Sequence, residues 1–358
     1  MRVLIAHPGP GYSVADVFEG WREALSNLGC QVYVFNFDER MCFYDNAFLL
    51  KDDGEFHKAL TNEDAAKLAM NGLAAGLFKI RPQLLISVFS LFNDLQTIDM
   101  ARRYGTKMVW LHTESPYEDG RQLELACHAD LNLINDPTNL ERFREITPAE
   151  YVPHSYRPSV HYPPVEDRDG PDLFWAGTAF PSRQEFFEQM DLEGLDVALA
   201  GNWTCLLGQE EKSPIEKYLV APVSDYTKEI NHDGWYRSPG DCMKNEITAE
   251  AYRSAKCGIN LYRREAEEAH MGTGWSCGPR EIEMAACELF FLRDPRPESD
   301  ELFPMLPTFT TPEDASEKLR WWLKRDAERE KLAGQARAAI EDRTFDKQAS
   351  MMLRKLGF

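Results

Sequence analysis

Two doubly wound α/β domains, each built on a parallel sheet, are what the sequence predicts, and three observations carry that reading. The first thirty-seven residues run strand, glycine-rich turn, amphipathic helix, strand, which is a βαβ unit and hence a parallel pair. The same alternation restarts after residue 171, and residues 158–171 hold four prolines, a glycine and a run of charged side chains, the composition of a linker. At 358 residues the chain is too long for one ordinary domain and suits two. The predicted boundaries are 1–160, a linker at 161–171, a second domain over 172–345, and a last helix over 346–358 that packs back on the first domain.

In the first half, Arg2–Ala6 is a short apolar strand and His7-Pro8-Gly9-Pro10-Gly11 a turn. Val14, Val17, Phe18, Trp21, Leu25 and Leu28 recur at helical spacing, Gly29 ends that helix, and Gln31–Phe35 begins the next strand. Further strands are predicted at Leu84–Phe89, Lys107–Leu111 and Leu131–Ile134, and Tyr151–His154 closes the half. In the second half, Asp172–Gly177, Asp196–Gly201 and Cys257–Tyr262 read as strands and Ser182–Met190 as a helix. Residues 204–247 are polar and turn-rich, with Ser213-Pro214-Ile215-Glu216 as a capping box for one short helix. An excursion of that length in a compact domain is usually functional or mobile. Thr311-Pro312-Glu313-Asp314 opens another helix, whose Leu319, Trp322 and Leu323 share one face. Two such Rossmann-like domains facing each other leave a cleft between the carboxyl ends of their sheets, where ligands of these folds bind.

Composition excludes several functions. Lys plus Arg number 40 against 59 Asp plus Glu, a formal charge of −19 that repels phosphodiester backbones, so nucleic acid is not an expected partner. Hydrophobic residues at 43% supply two buried cores and rule out disorder as the main state. No apolar run approaches the ~20 residues of a membrane span. The segment Met1–Pro8 is too short and too soon interrupted for a signal peptide, so a cytoplasmic location is expected. Eight cysteines without a Cys-x-x-Cys pair read as reduced, space-filling thiols, with neither a disulfide framework nor a zinc site.

The segment Gly274–Cys287 is richest in chemistry. Gly278 followed by Pro279 marks a helix start, where unpaired N–H groups and the dipole favour an anion and Arg280 adds a bidentate donor. Glu283 lies in the same first turn, where it can accept ribose hydroxyls or merely complement the dipole. Gly177-Thr178 and Arg183 combine a flexible turn, a hydroxyl and an arginine at a helix start, suited to phosphate or to an ordinary strand-to-helix turn. Gly9 and Gly11 form a weak dinucleotide fingerprint, with Val14 where a third glycine belongs. His112 and Glu114 follow the strand Lys107–Leu111 and can share a proton network at the cleft edge, although a structural role serves a strand-end histidine equally. Asp167-Arg168-Asp169 has Asp-x-Asp spacing but follows no strand, so no metal site is predicted.

Taken in order, Trp110–Pro116, Tyr151–Tyr156, Phe174–Thr178 with Arg183, Ala249–Leu261 and Arg280–Cys287 resemble the GT-B glycosyltransferases, specifically the spore maturation protein CgeB-like group. The resemblance implies metal-independent transfer of a sugar from a nucleotide donor held mainly by the second domain, with the first domain on the acceptor side. It implies that Glu283 binds the donor ribose and that basic groups near Arg280 and the Gly177 turn hold the diphosphate. Arg183, Asn202, Ser276 and Gly278 join that donor set, and the His112 loop faces the sugar. Trp275 stands where many retaining members carry a second glutamate, and Glu288 where a glycine is common, so the resemblance does not carry the stereochemistry.

The function expected is therefore a glycosyltransferase using a UDP-, GDP- or dTDP-linked sugar as co-substrate and no cofactor, acting on a protein, polysaccharide or small-molecule hydroxyl. His112, with Glu114, is the expected acceptor-side base and His7 the competing one. The alternatives are a sugar-nucleotide epimerase of the same fold and a catalytically silent nucleotide-binding protein.

Overall fold

The structure is a computed structural model that describes every residue except 9–13, 89–93, 204–205, 207–211, 221–242 and 266–273. Gly9 and Gly11 and most of the 204–247 excursion therefore lie outside the described residues. The chain divides into two compact units, Met1–Pro153 with Phe345–Phe358, and His154–Thr344. The boundary falls at Pro153 rather than at residue 160, because the proline-rich segment is bound into the second unit. Tyr156 N–H donates to Arg343 O at 2.9 Å. Arg168 donates from Nη1 to the carbonyls of Tyr252, Arg253 and Ala255 and from Nη2 to those of Cys287 and Glu288, at 2.6–3.1 Å. One guanidinium thus satisfies the orphan carbonyls at the ends of two helices, Asn245–Ser254 and Pro279–Ala286, and offsets both negative dipole ends.

The first unit contains β1 (Arg2–Ala6), β2 (Gln31–Phe35), β3 (Phe48–Leu50), β4 (Phe56–Lys58), β5 (Leu84–Val88), β6 (Lys107–His112), β7 (Leu131–Ile134) and β8 (Ala149–Tyr151). Six of these form a parallel sheet in the order β2-β1-β5-β6-β7-β8, and β3 and β4 form a separate antiparallel hairpin. Because side chains alternate along a strand, Val3, Ile5, Ile86, Val109 and Leu133 pack on one face, and Leu4, Ala6, Leu85, Met108 and Trp110 on the other. Phe18, Trp21 and Leu25 of the helix Ala15–Asn27 cover the first face together with Phe345, Ala349 and Met352 of the last helix, Phe345–Lys355. Gly20 makes this pairing possible, since a Cβ there would lie 2.3 Å from the Phe345 ring.

The second unit carries β9 (Leu173–Thr178), β10 (Val197–Asn202), β11 (Gly258–Asn260) and β12 (Phe291–Arg293), all parallel, in the order β10-β9-β11-β12. The capping box at Ser213 is only half formed. Ser213 N–H donates to Glu216 Oε1 at 3.3 Å, and the helix it opens is a single 3-10 turn, Glu216–Tyr218. Thr311 does cap its helix, Pro312–Trp322, by accepting from Asp314 N–H at 3.2 Å. Among the described residues, no helix is long and apolar enough to cross a membrane.

Candidate functional site

In the second unit the chain leaves β9 toward β10 on one side and later enters β11 on the other. The carboxyl ends of β9 and β11 therefore flank the point where strand order reverses, the place where open α/β sheets bind ligands. Gly177 of β9 is in register with Gly201 of β10, and Thr178 with Asn202. Arg183 ties the two flanking exits together, donating from Nε to Leu261 O and from Nη1 to Thr178 O, each at 3.0 Å. Its guanidinium also lies 5.7 Å from the Trp175 ring and 5.3 Å from Phe180, and Arg263 approaches the Phe180 ring at 4.8 Å.

The helix Pro279–Ala286 starts at the same edge, but its first turn differs from the expected open anion site. Pro279 has no N–H, Gly278 N–H donates to Glu281 Oε2 at 2.8 Å, and Cys277 N–H donates to Glu298 Oε2 at 2.8 Å. Two carboxylates of the protein itself thus engage the N–H groups of Cys277 and Gly278 at this helix start. Glu281 is wholly buried; it also accepts from the Tyr262 hydroxyl and from Ser299 Oγ, and burial pushes its carboxyl up to about 7. A Cβ at Gly278 would meet Tyr262 and Asn260 at ordinary contact distance, 3.6–3.7 Å, so packing does not require glycine there. Ser276 is buried beside this turn.

Arg280 and Glu283 are paired with each other, Nη1 to Oε2 at 2.6 Å. Asn245 Nδ2 donates to the second carboxylate oxygen of Glu283 at 3.4 Å, and a ring nitrogen of His161 lies within 4.8 Å of the same carboxylate. Both His161 and Asn245 lie outside the predicted set.

In the first unit His112 is buried and held at both ring nitrogens, Nε2 to Asn132 Oδ1 at 2.7 Å and Nδ1 to the Gln122 side-chain amide at 3.0 Å. Asn132 Nδ2 donates to Ala126 O, which fixes its Oδ1 as the acceptor and places the ring proton on Nε2. Nδ1 faces Gln122 Oε1 while the Gln122 Nε2 is buried without a partner, so turning that amide over would let its NH2 donate to Nδ1 of a neutral ring. Desolvation drives the ring pKa down to about 4, and it packs 4.9 Å from Phe143. These contacts engage both nitrogens expected to serve an acceptor, and through them the ring links β6, β7 and the helix Asp119–Ala126. Glu114 is half-buried in the following turns. His7, at the carboxyl end of β1, is buried edge-on against Phe18 at 5.0 Å. That strand end also flanks a reversal of strand order, between β1 and β5.

Several residues at the second unit's edge escaped the sequence reading. Asn260 ends β11 with a buried amide whose Nδ2 has no partner, Arg264 grips Asp294 through both carboxylate oxygens at 2.6 and 2.8 Å, and Arg296 stacks 4.4 Å from the Tyr262 ring. The dipeptide Arg263-Arg264 directly after a strand was the available signal. His161 gave none, since it stands among the prolines of an apparent linker.

A family model described as "Glycosyl transferase-like" matches residues 183–353. No curated protein matches the chain in sequence. Among solved structures, an alpha-glucosyltransferase (AGT) in complex with UDP is 14% identical, covers 99% of each chain and gives a TM-score of 0.60. Alr3699/HepE of Anabaena in complex with UDP-glucose is 11% identical over 99% of this chain and 100% of its own, with a TM-score of 0.56. The trehalose-6-phosphate synthase OtsA is 12% identical over 100% and 99%, with a TM-score of 0.59. At such identities the likeness is one of fold: the chain has the GT-B architecture, two Rossmann-like α/β units with parallel sheets.

Proposed function

We propose that the protein is a glycosyltransferase that moves a sugar from a nucleotide-diphosphate sugar to an acceptor hydroxyl. The observation that carries this reading is the convergence of the β9 exit, the β11 exit and the Pro279 helix start at one sheet edge, bridged by Arg183. The glycosyltransferase-like match, from residue 183 onward, spans most of these elements.

In this reading Gly177, Thr178, Asn202, Ser276 and Gly278 line the diphosphate's place, and Arg183, Arg263 and Arg280 offset the charge of the departing group in place of a metal. Glu283, oriented by Arg280, accepts the ribose hydroxyls. His7, with Glu114 as the second choice, takes the acceptor proton, while His112 supports the Glu114 loop from within the sheet. The CgeB-like group is the narrower family this reading favours.

Calorimetric titration with UDP, GDP and dTDP tests the reading first, and transfer of labelled sugar from the donor that binds tests it second. A chain that binds none of the three would refute it. Release of an isomerised donor without transfer would instead favour an epimerase, the chemistry for which a Listeria monocytogenes protein of the same fold is described as a candidate (TM-score 0.57).

A further inference from the structure

Among the described residues, β3 and β4 pair only with each other, so both edges of their hairpin are open. The ladder fixes which backbone groups face outward. Lys51 N–H donates to Glu55 O at 3.1 Å and Ala59 N–H to Ala47 O at 2.7 Å, and Leu49 stands opposite His57. Bonded pairs alternate along an antiparallel ladder, so Ala47, Leu49 and Lys51 turn their backbone N–H and C=O groups toward β4. Phe48 and Leu50 therefore turn theirs to the outer edge of β3.

That edge is apolar on both faces. Phe48, Leu50 and Phe56 share one face and are 50%, 64% and 72% exposed; Leu49, on the other, is 58% exposed. Together they present on the order of 500 Å² of apolar surface, the size of patch that marks an interaction site. Open edges are ordinarily blunted by charge or proline, and Asn46-Ala47-Phe48-Leu49-Leu50 holds neither. The turn that follows carries Asp52, Asp53 and Glu55 against Lys51, and an anionic lipid surface would repel it. A second copy meets no such obstacle, because an antiparallel approach sets the two acidic turns at opposite ends of the contact.

We propose that the outer edge of β3 pairs with the same edge of a second copy, antiparallel about a two-fold axis at Leu49, to give a four-stranded sheet β4-β3-β3-β4. In that register Leu49 faces Leu49, and Phe48 faces the second copy's Leu50. The outward-facing groups of Phe48 and Leu50 then meet, and each of these pairs exchanges both its N–H···O bonds. Phe56, Leu50 and the second copy's Phe48 form one apolar row across the sheet, which the two-fold axis repeats. Lys51 falls opposite Ala47, so no like charges oppose each other across the paired strands. Two copies bring about 1,000 Å² of apolar surface to the contact, the lower end of what specific association needs, so the dimer forms with rising concentration. This pairing is independent of the nucleotide-sugar reading.

Sedimentation velocity of the full chain tests it, and over about 1–200 µM the wild type should shift from one chain toward two. Leu49→Lys and Leu49→Glu each set like charges face to face at the axis, and each should keep the chain single. An equimolar mixture of the two should associate again, because lysine then opposes glutamate. Leu50→Pro deletes an outward N–H without touching the bonds to β4, and it too should abolish pairing. These positions are exposed, so thermal melting should match the wild type; were Leu50→Pro to unfold, the charged pair of variants carries the test. A wild type that stays single throughout, undiminished association of Leu49→Lys, or a mixture that stays single would overturn the pairing. Co-sedimentation of a single-chain wild type with phosphatidylcholine–phosphatidylglycerol vesicles would overturn it in favour of a lipid surface.

Discussion

Gly201 and Gly177 face each other across β10 and β9 so closely that a Cβ on Gly201 would stand 2.1 Å from the Gly177 carbonyl oxygen. Gly201 also has φ +105°, a conformation that side chains disfavour. Replacing it with alanine adds a backbone clash to a strained torsion at the edge where the candidate site lies. Gly201→Ala should lose about 3 kcal/mol or more in urea denaturation. A loss under about 1 kcal/mol would show that the strands can part there.

Arg168 should matter as much to stability although it stands far along the sequence from the carbonyls it caps. Lysine keeps the charge but cannot reach five acceptors from one planar fork. Both Arg168→Lys and Arg168→Ala are expected to destabilise the second unit, the latter by more than about 3 kcal/mol. Near-equality of Arg168→Lys with the wild type in chemical denaturation would mean that charge alone suffices.

The His112 ring is held neutral in the fold, with its pKa down at about 4 against the usual value near 6.5. The unfolded chain then binds the proton first, so stability is flat above pH 6.5 and falls by about 1.4 kcal/mol per pH unit from there toward pH 4. His112→Gln should remove that slope from a series of urea midpoints. If the slope persists in the variant, another group causes it.

Glu281 works in the opposite direction. Its carboxyl is raised to about 7 by burial, so the folded chain holds a proton that the unfolded chain releases near pH 4.5. The associated stability is complete below pH 4.5 and is lost as pH rises to 7. Glu281→Gln imitates the protonated form and can still accept from Tyr262 and Gly278 N–H. It should gain on the wild type as pH passes from 5 to 8, which thermal midpoints across that range will show.

The sheets were legible because strands buried on both faces are nearly continuous apolar runs, as in Val3-Leu4-Ile5-Ala6 and Leu84-Leu85-Ile86. The β3–β4 hairpin was not. Its Phe48, Leu49, Leu50 and Phe56 are all at least half exposed, so no alternation marks a buried side. β12 escaped because Phe291–Arg293 is three residues long and comes almost at once after its helix. At the site, residue types were readable but commitments were not: Arg280 beside Glu283 reads as a free cation until the i,i+3 pair at 2.6 Å is seen. The proton state of His112 depended on Gln122 and Asn132, ten and twenty residues away, which no local pattern connects to it.

The ring of Phe345 lying against Gly20 has a consequence for how the molecule is made. The first unit needs a wall that the ribosome delivers only after the whole second unit has emerged, so the second unit is threaded into the first as an insertion. During synthesis the sheet that begins at Arg2 keeps one flank unclosed until the last helix has emerged. A nick or stop codon just after Thr344 would spare the later-made unit and strand the earlier one half-built.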